Sequence, residues 1–351
     1  MEKANSQVVI KKEHTIGTVD TTFLFQGKVQ SMFEDSRGNF WIGSRENGLC
    51  KFDGTTYTYF TTQDGLSSNS IRYIQEDAIG NIWIDDRNNI SKFDGKQFIH
   101  FDKSFIPVIR IQENPIQLTK YDLWFTDHTK FGVYRYDGQS LAFISFEDAS
   151  LNLNQEYSRF FISSVTDMDV TNNQVWFGTL MQGAIGLNGK AFTKISDESF
   201  DFESSQEFLH IRSMLLDSKG NLWIGNNGIG VIVKKGNSLI HFSKKQDKLI
   251  PLDEFEANTH KRQFLKNTGL QAVFAIEEDN EGNIWFGDRD SGVWKYDGKN
   301  LQNYKDIYHK ESLDELVWDI YNDRKGNLYF ILVDGSVFTF NGNSFDKFQG
   351  F

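Results

Sequence analysis

Asp279-Asn280-Glu281-Gly282-Asn283-Ile284-Trp285-Phe286-Gly287 reads as a tight turn running into a short strand. Gly and Asn tolerate positive φ, and Asp hydrogen-bonds nearby backbone amides. The apolar residues flanking Trp285 then suit a buried strand. The chain repeats this stretch at Glu34-Asp35-Ser36-Arg37-Gly38-Asn39-Phe40-Trp41-Ile42-Gly43, at Asp77-Ala78-Ile79-Gly80-Asn81-Ile82-Trp83-Ile84 and at Asp217-Ser218-Lys219-Gly220-Asn221-Leu222-Trp223-Ile224-Gly225. Asp323-Arg324-Lys325-Gly326-Asn327-Leu328-Tyr329-Phe330 is a weaker copy, and Leu123-Trp124-Phe125 and Val175-Trp176-Phe177-Gly178 keep only the aromatic core.

The aromatic anchors are Trp41, Trp83, Trp124, Trp176, Trp223, Trp285 and Tyr329, spaced by 42, 41, 52, 47, 62 and 44 residues. A propeller blade of four strands needs roughly 40–45 residues. The shorter spacings fit one blade each, and the longer ones fit a blade plus a loop insertion. Six of the seven units close with a hairpin signal: Asp53-Gly54, Asp94-Gly95, Asp137-Gly138, Asn188-Gly189, Asp297-Gly298 and Asn341-Gly342. Two-residue hairpins prefer these dipeptides. A four-stranded sheet cannot bury both its faces alone, so the units stack around an axis. The expected fold is all-β, a seven-bladed β-propeller of four-stranded antiparallel blades over residues 29–351. Residues 1–28 form an N-terminal extension in which Thr21-Thr22-Phe23-Leu24-Phe25 is a candidate strand at the ring seam. The repeated Trp residues are expected to pack between blades.

Composition narrows the function. The formal net charge is −11, which disfavours both phosphate neutralisation on nucleic acid and docking on an anionic membrane. A single cysteine, Cys50, excludes an internal disulfide and a cysteine-based metal cluster. No stretch approaches the roughly 18 apolar residues of a membrane span. The first residues, Met1-Glu2-Lys3-Ala4-Asn5-Ser6, carry no apolar signal region.

The pattern Asp-x-x-Gly-Asn-hydrophobic-Trp-hydrophobic-Gly, followed by Gly-hydrophobic-x-Lys-aromatic-Asp-Gly, resembles the two-component regulator propeller repeat. Asp64-Gly65-Leu66-Ser67-Ser68-Asn69-Ser70-Ile71 resembles that family's linker between blades. The resemblance implies an extracytoplasmic sensor module, periplasmic or extracellular, that detects glycan fragments. Such sensors usually carry two propellers, a β-sandwich, a membrane span and a kinase, and this chain carries one propeller. A cytoplasmic setting is the alternative where no signal segment precedes the chain.

Long insertions fall at roughly 102–114, 146–164, 197–210, 244–271 and 305–316, on connections leading into first strands. Loops on a rigid scaffold are where function concentrates. In the longest of them, Leu252-Asp253-Glu254-Phe255-Glu256-Ala257 suits a short capping helix or an irregular loop. Aligning first strands on the turn Asp puts Gln30, Arg72, Thr166, Arg212, Phe274 and Trp318 at the second position. It puts Ser31, Tyr73, Asp167, Ser213, Ala275 and Asp319 at the third. The third blade resists the alignment, so Arg110 belongs either to the mouth or to its loop.

The candidate ligand-binding residues are Arg72, Arg212, His210, Trp318, Asp167 and Asp319. Guanidinium forks suit a carboxylate or sulfate, and an indole face suits a ring. The structural alternatives are Trp318 plugging the channel and the arginines pairing with Asp167 and Asp319. Asp167, Asp169 and Asp319 offer oxygen ligands of the kind hard cations take, without a calcium loop. The histidines lack metal-ligand spacing, and no nucleophile motif or phosphate loop appears. The expected function is therefore non-catalytic, with no cofactor and no metal. The partner is a small molecule, glycan or peptide, or a protein. The competing readings are a propeller enzyme like virginiamycin B lyase and a pure interaction scaffold.

Overall fold

The computed structural model describes residues 9–11, 17–20, 28–86, 89–127, 130–151, 162–169, 172–196, 199, 209–245, 270–289, 291–304 and 316–350. Seven sheets follow one another along the chain, and the protein is a seven-bladed β-propeller with almost no helix. The chain forms two compact units. Blades one to three lie in the first (1–149, with 334–336 and 348–351), and blades four to seven make up most of the second (150–333 and 337–347).

Six blades hold four antiparallel strands in sequence order, such as Ile211–Leu216, Leu222–Asn226, Val231–Lys235 and Ser238–His241 in blade five. The turn between first and second strands explains the repeat. In blade one, Asp35 Oδ1 accepts from the backbone amides of Arg37 at 3.0 Å and Asn39 at 2.9 Å. Its Oδ2 accepts from Asn39 Nδ2 at 2.7 Å and Trp41 Nε1 at 2.8 Å. The same indole-to-carboxylate bond joins Trp83 to Asp77, Trp223 to Asp217 and Trp285 to Asp279 at 2.8–2.9 Å. In blade seven the Tyr329 hydroxyl donates to Asp323 at 3.2 Å. Asp, Asn and Trp are therefore one hydrogen-bonded device, not a turn beside a core residue. A buried indole N–H needs an acceptor, and the turn supplies it.

The Trp side chains then bury between blades as expected, each at most 9% exposed. Trp41 packs with Ile71, Ile74 and Phe93 of blade two. Trp223 packs with Val273, Ile276 and Phe286 of blade six, and Trp285 with Ile320 and Phe330 of blade seven. Cys50 is wholly buried in blade one, and burial pushes its thiol up to about 12.

Blade three departs from the pattern. Its antiparallel strands are Leu123–Thr126, Gly132–Tyr136 and Leu141–Ser145. The fourth, Val108–Ile109, lies parallel on the outer edge against Phe143 and Ile144. Arg110 therefore follows an outer-edge strand, where it meets Glu147 at 3.5 Å in an exposed ion pair. The edge of Leu123–Thr126 left without a neighbouring strand is satisfied by blade-two side chains. Gln75 Nε2 donates to Trp124 O and Gln75 Oε1 accepts from Trp124 N. Asp85 accepts from the Thr126 amide and hydroxyl, both at 2.9 Å.

The N-terminal segment supplies two edge strands. Val9–Lys11 pairs antiparallel with Phe98–Phe101 of blade two, and Thr18–Asp20 with Tyr57–Phe60 of blade one. The candidate strand at 21–25 and the candidate helix at 252–257 lie outside the described residues.

Candidate functional site

First strands of successive blades in the second unit lie beside one another. All four, Ile162–Val165, Ile211–Leu216, Val273–Glu278 and Val317–Asn322, carry a β-bulge at the same place, and the last three build the site. Ile211 pairs with Asn226 and Ser213 with Gly225, so Arg212 is an extra residue in the ladder. Phe274 is extra between Val273 and Ala275, and Trp318 between Val317 and Asp319. A bulge leaves one residue unpaired and re-aims its side chain. Accordingly Ile211, Val273 and Val317 are fully buried, while Arg212, Phe274 and Trp318 stay half-buried.

The three extra side chains meet. The Arg212 guanidinium carbon sits 4.7 Å from the Phe274 ring centroid. Phe274 and Trp318 lie 6.5 Å apart, tilted by 45°. Beside them, Arg289 donates its backbone N–H to Ala272 O at 2.9 Å and its Nη1–H to Asn227 Oδ1 at 3.1 Å. Arg212 Nε is buried without a hydrogen-bond partner. Burial, and then the neighbouring Arg289 charge, lower the pKa of Arg212. His210 is half-buried at the start of the same strand, its carbonyl accepting from Asn227 N at 2.9 Å.

An acidic set belongs to the same unit. Burial pushes Glu277 up to about 8, helped by the negative charges of Asp319, Asp167 and Glu278. Burial also pushes Asp319 up to about 7, although it keeps some accessible surface. Glu277 lies three steps beyond Phe274, about 10 Å along an extended strand.

Asp167 does not occupy a first strand. The strand of blade four is Ile162–Val165, with Ser163 as its bulged residue. Thr166 and Asp167 follow in the connection to the second strand, where Asp167 is exposed. The alignment slips because the turn Asp of this blade is Asp169, bonded to Asn172 N and Nδ2 at 3.0 and 2.6 Å. With Asp169 engaged in its turn, the proposed trio of cation ligands is broken. Among the described residues no group of three or more His, Cys, Asp or Glu side chains is placed to hold a metal ion.

Arg72 belongs to the first unit, buried, its guanidinium 4.9 Å from the Tyr73 ring and its backbone N–H on Asp85 O. In the second unit the structure brings together Arg212 and Trp318 through Phe274. Sequence reading aligned Phe274 without selecting it and missed Arg289 and Glu277. Arg289 had a signal: it stands four residues after Trp285, as Asn227 stands after Trp223.

The two component regulator propeller family model matches residues 24–46, 206–228 and 269–290. No curated protein matches the chain. Extracellular domains of two hybrid two component systems from B. thetaiotaomicron superpose with a TM-score of 0.60 at 20% identity, over 92% and 94% of this chain. The chain spans only 39% and 41% of the length of those domains. A catalytically inactive virginiamycin B lyase from Staphylococcus aureus, solved with quinupristin, also gives 0.60, at 12% identity over 91% of this chain and 97% of its own. At these identities the likeness to solved structures is one of fold.

Proposed function

We propose that this propeller, whose repeats are of the two component regulator kind, is a non-catalytic ligand-binding module acting outside the cytoplasm. It recognises a glycan fragment or peptide on the side where the inter-blade insertions enter the first strands. The observation that carries the reading is the run of Arg212, Phe274 and Trp318. Three successive bulges lift one side chain each out of the core and set them in contact. Stiff strands present a preformed surface with few polar groups, which is what ligand sites require. Structural likeness to extracellular sensor domains supports both the sensing role and the location.

Calorimetry against glycan and peptide libraries tests this. Arg212→Ala or Trp318→Ala should weaken the selected ligand at least about tenfold, the equivalent of 1.4 kcal/mol. A ligand indifferent to both changes places the site elsewhere. Glu277 and Asp319, with raised pKa values, are the groups acid–base chemistry would use. Product release from any library member that vanishes in Glu277→Gln would replace the binding reading with an enzymatic one.

A further inference from the structure

We propose that the outer edges of blades one and two are strand-docking sites, which Val9–Lys11 and Thr18–Asp20 fill within one chain and which the same strands of a second copy fill between chains. Each of these blades already has four strands, as blades five to seven do, and the two N-terminal strands are added outside them as a fifth. Both additions are antiparallel. Val9, Ile10 and Lys11 pair with Phe101, His100 and Ile99 of blade two. Thr18, Val19 and Asp20 pair with Tyr59, Thr58 and Tyr57 of blade one. Each added strand is three residues long. Strands so short have little stability of their own, and such edges open far more readily than the whole fold. Each opening bares a row of backbone N–H and C=O groups that templates another strand.

Gly17 selects the occupant. Its φ is +75°, and a β-carbon there would stand 2.5 Å from Thr58 Cγ2 and 3.0 Å from Tyr59 O. Its N–H donates to Asp64 Oδ1 at 3.2 Å. The other oxygen of Asp64 accepts from the Thr61 amide at 2.9 Å and the Thr61 hydroxyl at 3.0 Å, so the acceptor is held in place. A segment with a side chain just before its blade-one strand is therefore turned away. The segment that meets this demand is the chain's own, which points to a second copy as the partner. Reciprocal exchange makes the same pairs that it breaks, the low-cost route to a dimer. A short tether holds its own segment at an effective concentration on the order of 1 mM, so exchange sets in as the protein approaches that concentration.

The test traps the ladder with a disulfide between positions 19 and 58, which pair directly. Native Cys50 is wholly buried. One chain carries Val19→Cys and another carries Thr58→Cys, so a disulfide joining them reports pairing between copies. Oxidised together at about 1 mM they should give a heterodimer, identified by mass, and at about 1 µM at least about tenfold less. Adding Gly17→Val to the first chain should lower that yield at least about tenfold, through strain at positive φ and the clash with Thr58. Gly17→Ala serves where Gly17→Val does not fold. A chain carrying both Val19→Cys and Thr58→Cys should close on itself at about 1 µM, far below the effective concentration of its own tether. The inference is overturned if the double variant fails to close, or if it closes while the mixture gives no heterodimer. It is also overturned if the Gly17 variant leaves the heterodimer unchanged, which marks chance collision. A synthetic peptide of residues 9–20 should suppress the heterodimer. A scrambled peptide that suppresses it equally would make these edges acceptors for any extended partner and overturn the assignment to a second copy.

Discussion

Gln75 holds Trp124 as a strand would: its side-chain amide donates to Trp124 O at 2.9 Å and accepts from Trp124 N at 3.2 Å. With Asp85, which takes the Thr126 amide, this glutamine completes the edge of blade three. Unpaired buried backbone groups cost about 1–3 kcal/mol. Gln75→Ala should lower stability by about that amount in urea titration. A loss below about 0.5 kcal/mol would show that water or a neighbour pairs the Trp124 backbone instead.

Trp285 separates burial from hydrogen bonding. Trp285→Ala removes both and should cost about 3–5 kcal/mol. Trp285→Phe keeps most of the apolar contact and should cost about 1–3 kcal/mol through the lost bond to Asp279. For Asp279, burial would raise the pKa, but bonds from Trp285 and Asn283 outweigh it and hold the carboxyl below its ordinary 3.8. A depressed acid contributes stability above its unfolded value that is lost as pH falls through the folded one. The gap between wild type and Trp285→Phe should therefore be full above about pH 4 and narrow toward pH 2. A gap independent of pH would remove the indole from the titration of Asp279.

Glu277 gives the opposite sign. Its pKa rises from 4.5 to about 8, so the folded chain holds the proton more tightly. That stabilisation is complete below 4.5 and lost as pH rises through about 8. Glu277→Gln mimics the neutral acid, so the two proteins should melt together near pH 4–5, by the same linkage, and the variant should melt higher by about pH 9. Parallel melting curves across that range would show that Glu277 is charged in the fold.

Trp318→Ala should be mild. Trp318 is half-buried on a bulge, whereas Trp285 is 1% exposed in the core. The expected loss is below about 2 kcal/mol, within the range of ordinary substitutions. A loss matching Trp285→Ala would make Trp318 a packing residue.

Sequence pattern read the blades well because the signals are local. Asp-x-x-Gly-Asn fixes a turn within five residues, and Gly54, with φ of +93°, closes a hairpin that a β-carbon would strain. The site was less visible. A bulge inserts one residue with no composition of its own, so Arg212, Phe274 and Trp318 aligned correctly while their outward turn went unseen. In blade four the same alignment failed because extra residues precede Asp169, and it moved Asp167 into a strand it does not join. Blade three failed for a non-local reason: the groups replacing its missing strand, Gln75 and Asp85, come from the blade before. The bond from Trp to Asp was hidden because both residues already had sufficient separate explanations.

The bulges separate two kinds of inheritance. Gln30, Ser163, Arg212, Phe274 and Trp318 each stand outside the ladder that pairs their neighbours. At the four that keep accessible surface, Ser163, Arg212, Phe274 and Trp318, an exchange changes what the protein displays without shifting the register of the blade, whereas Gln30 is buried. Five unlike residues already occupy one structural address. Specificity in this scaffold can thus drift one letter at a time, at positions the fold does not police, and sister propellers with nearly unchanged frames are expected to differ first in these letters.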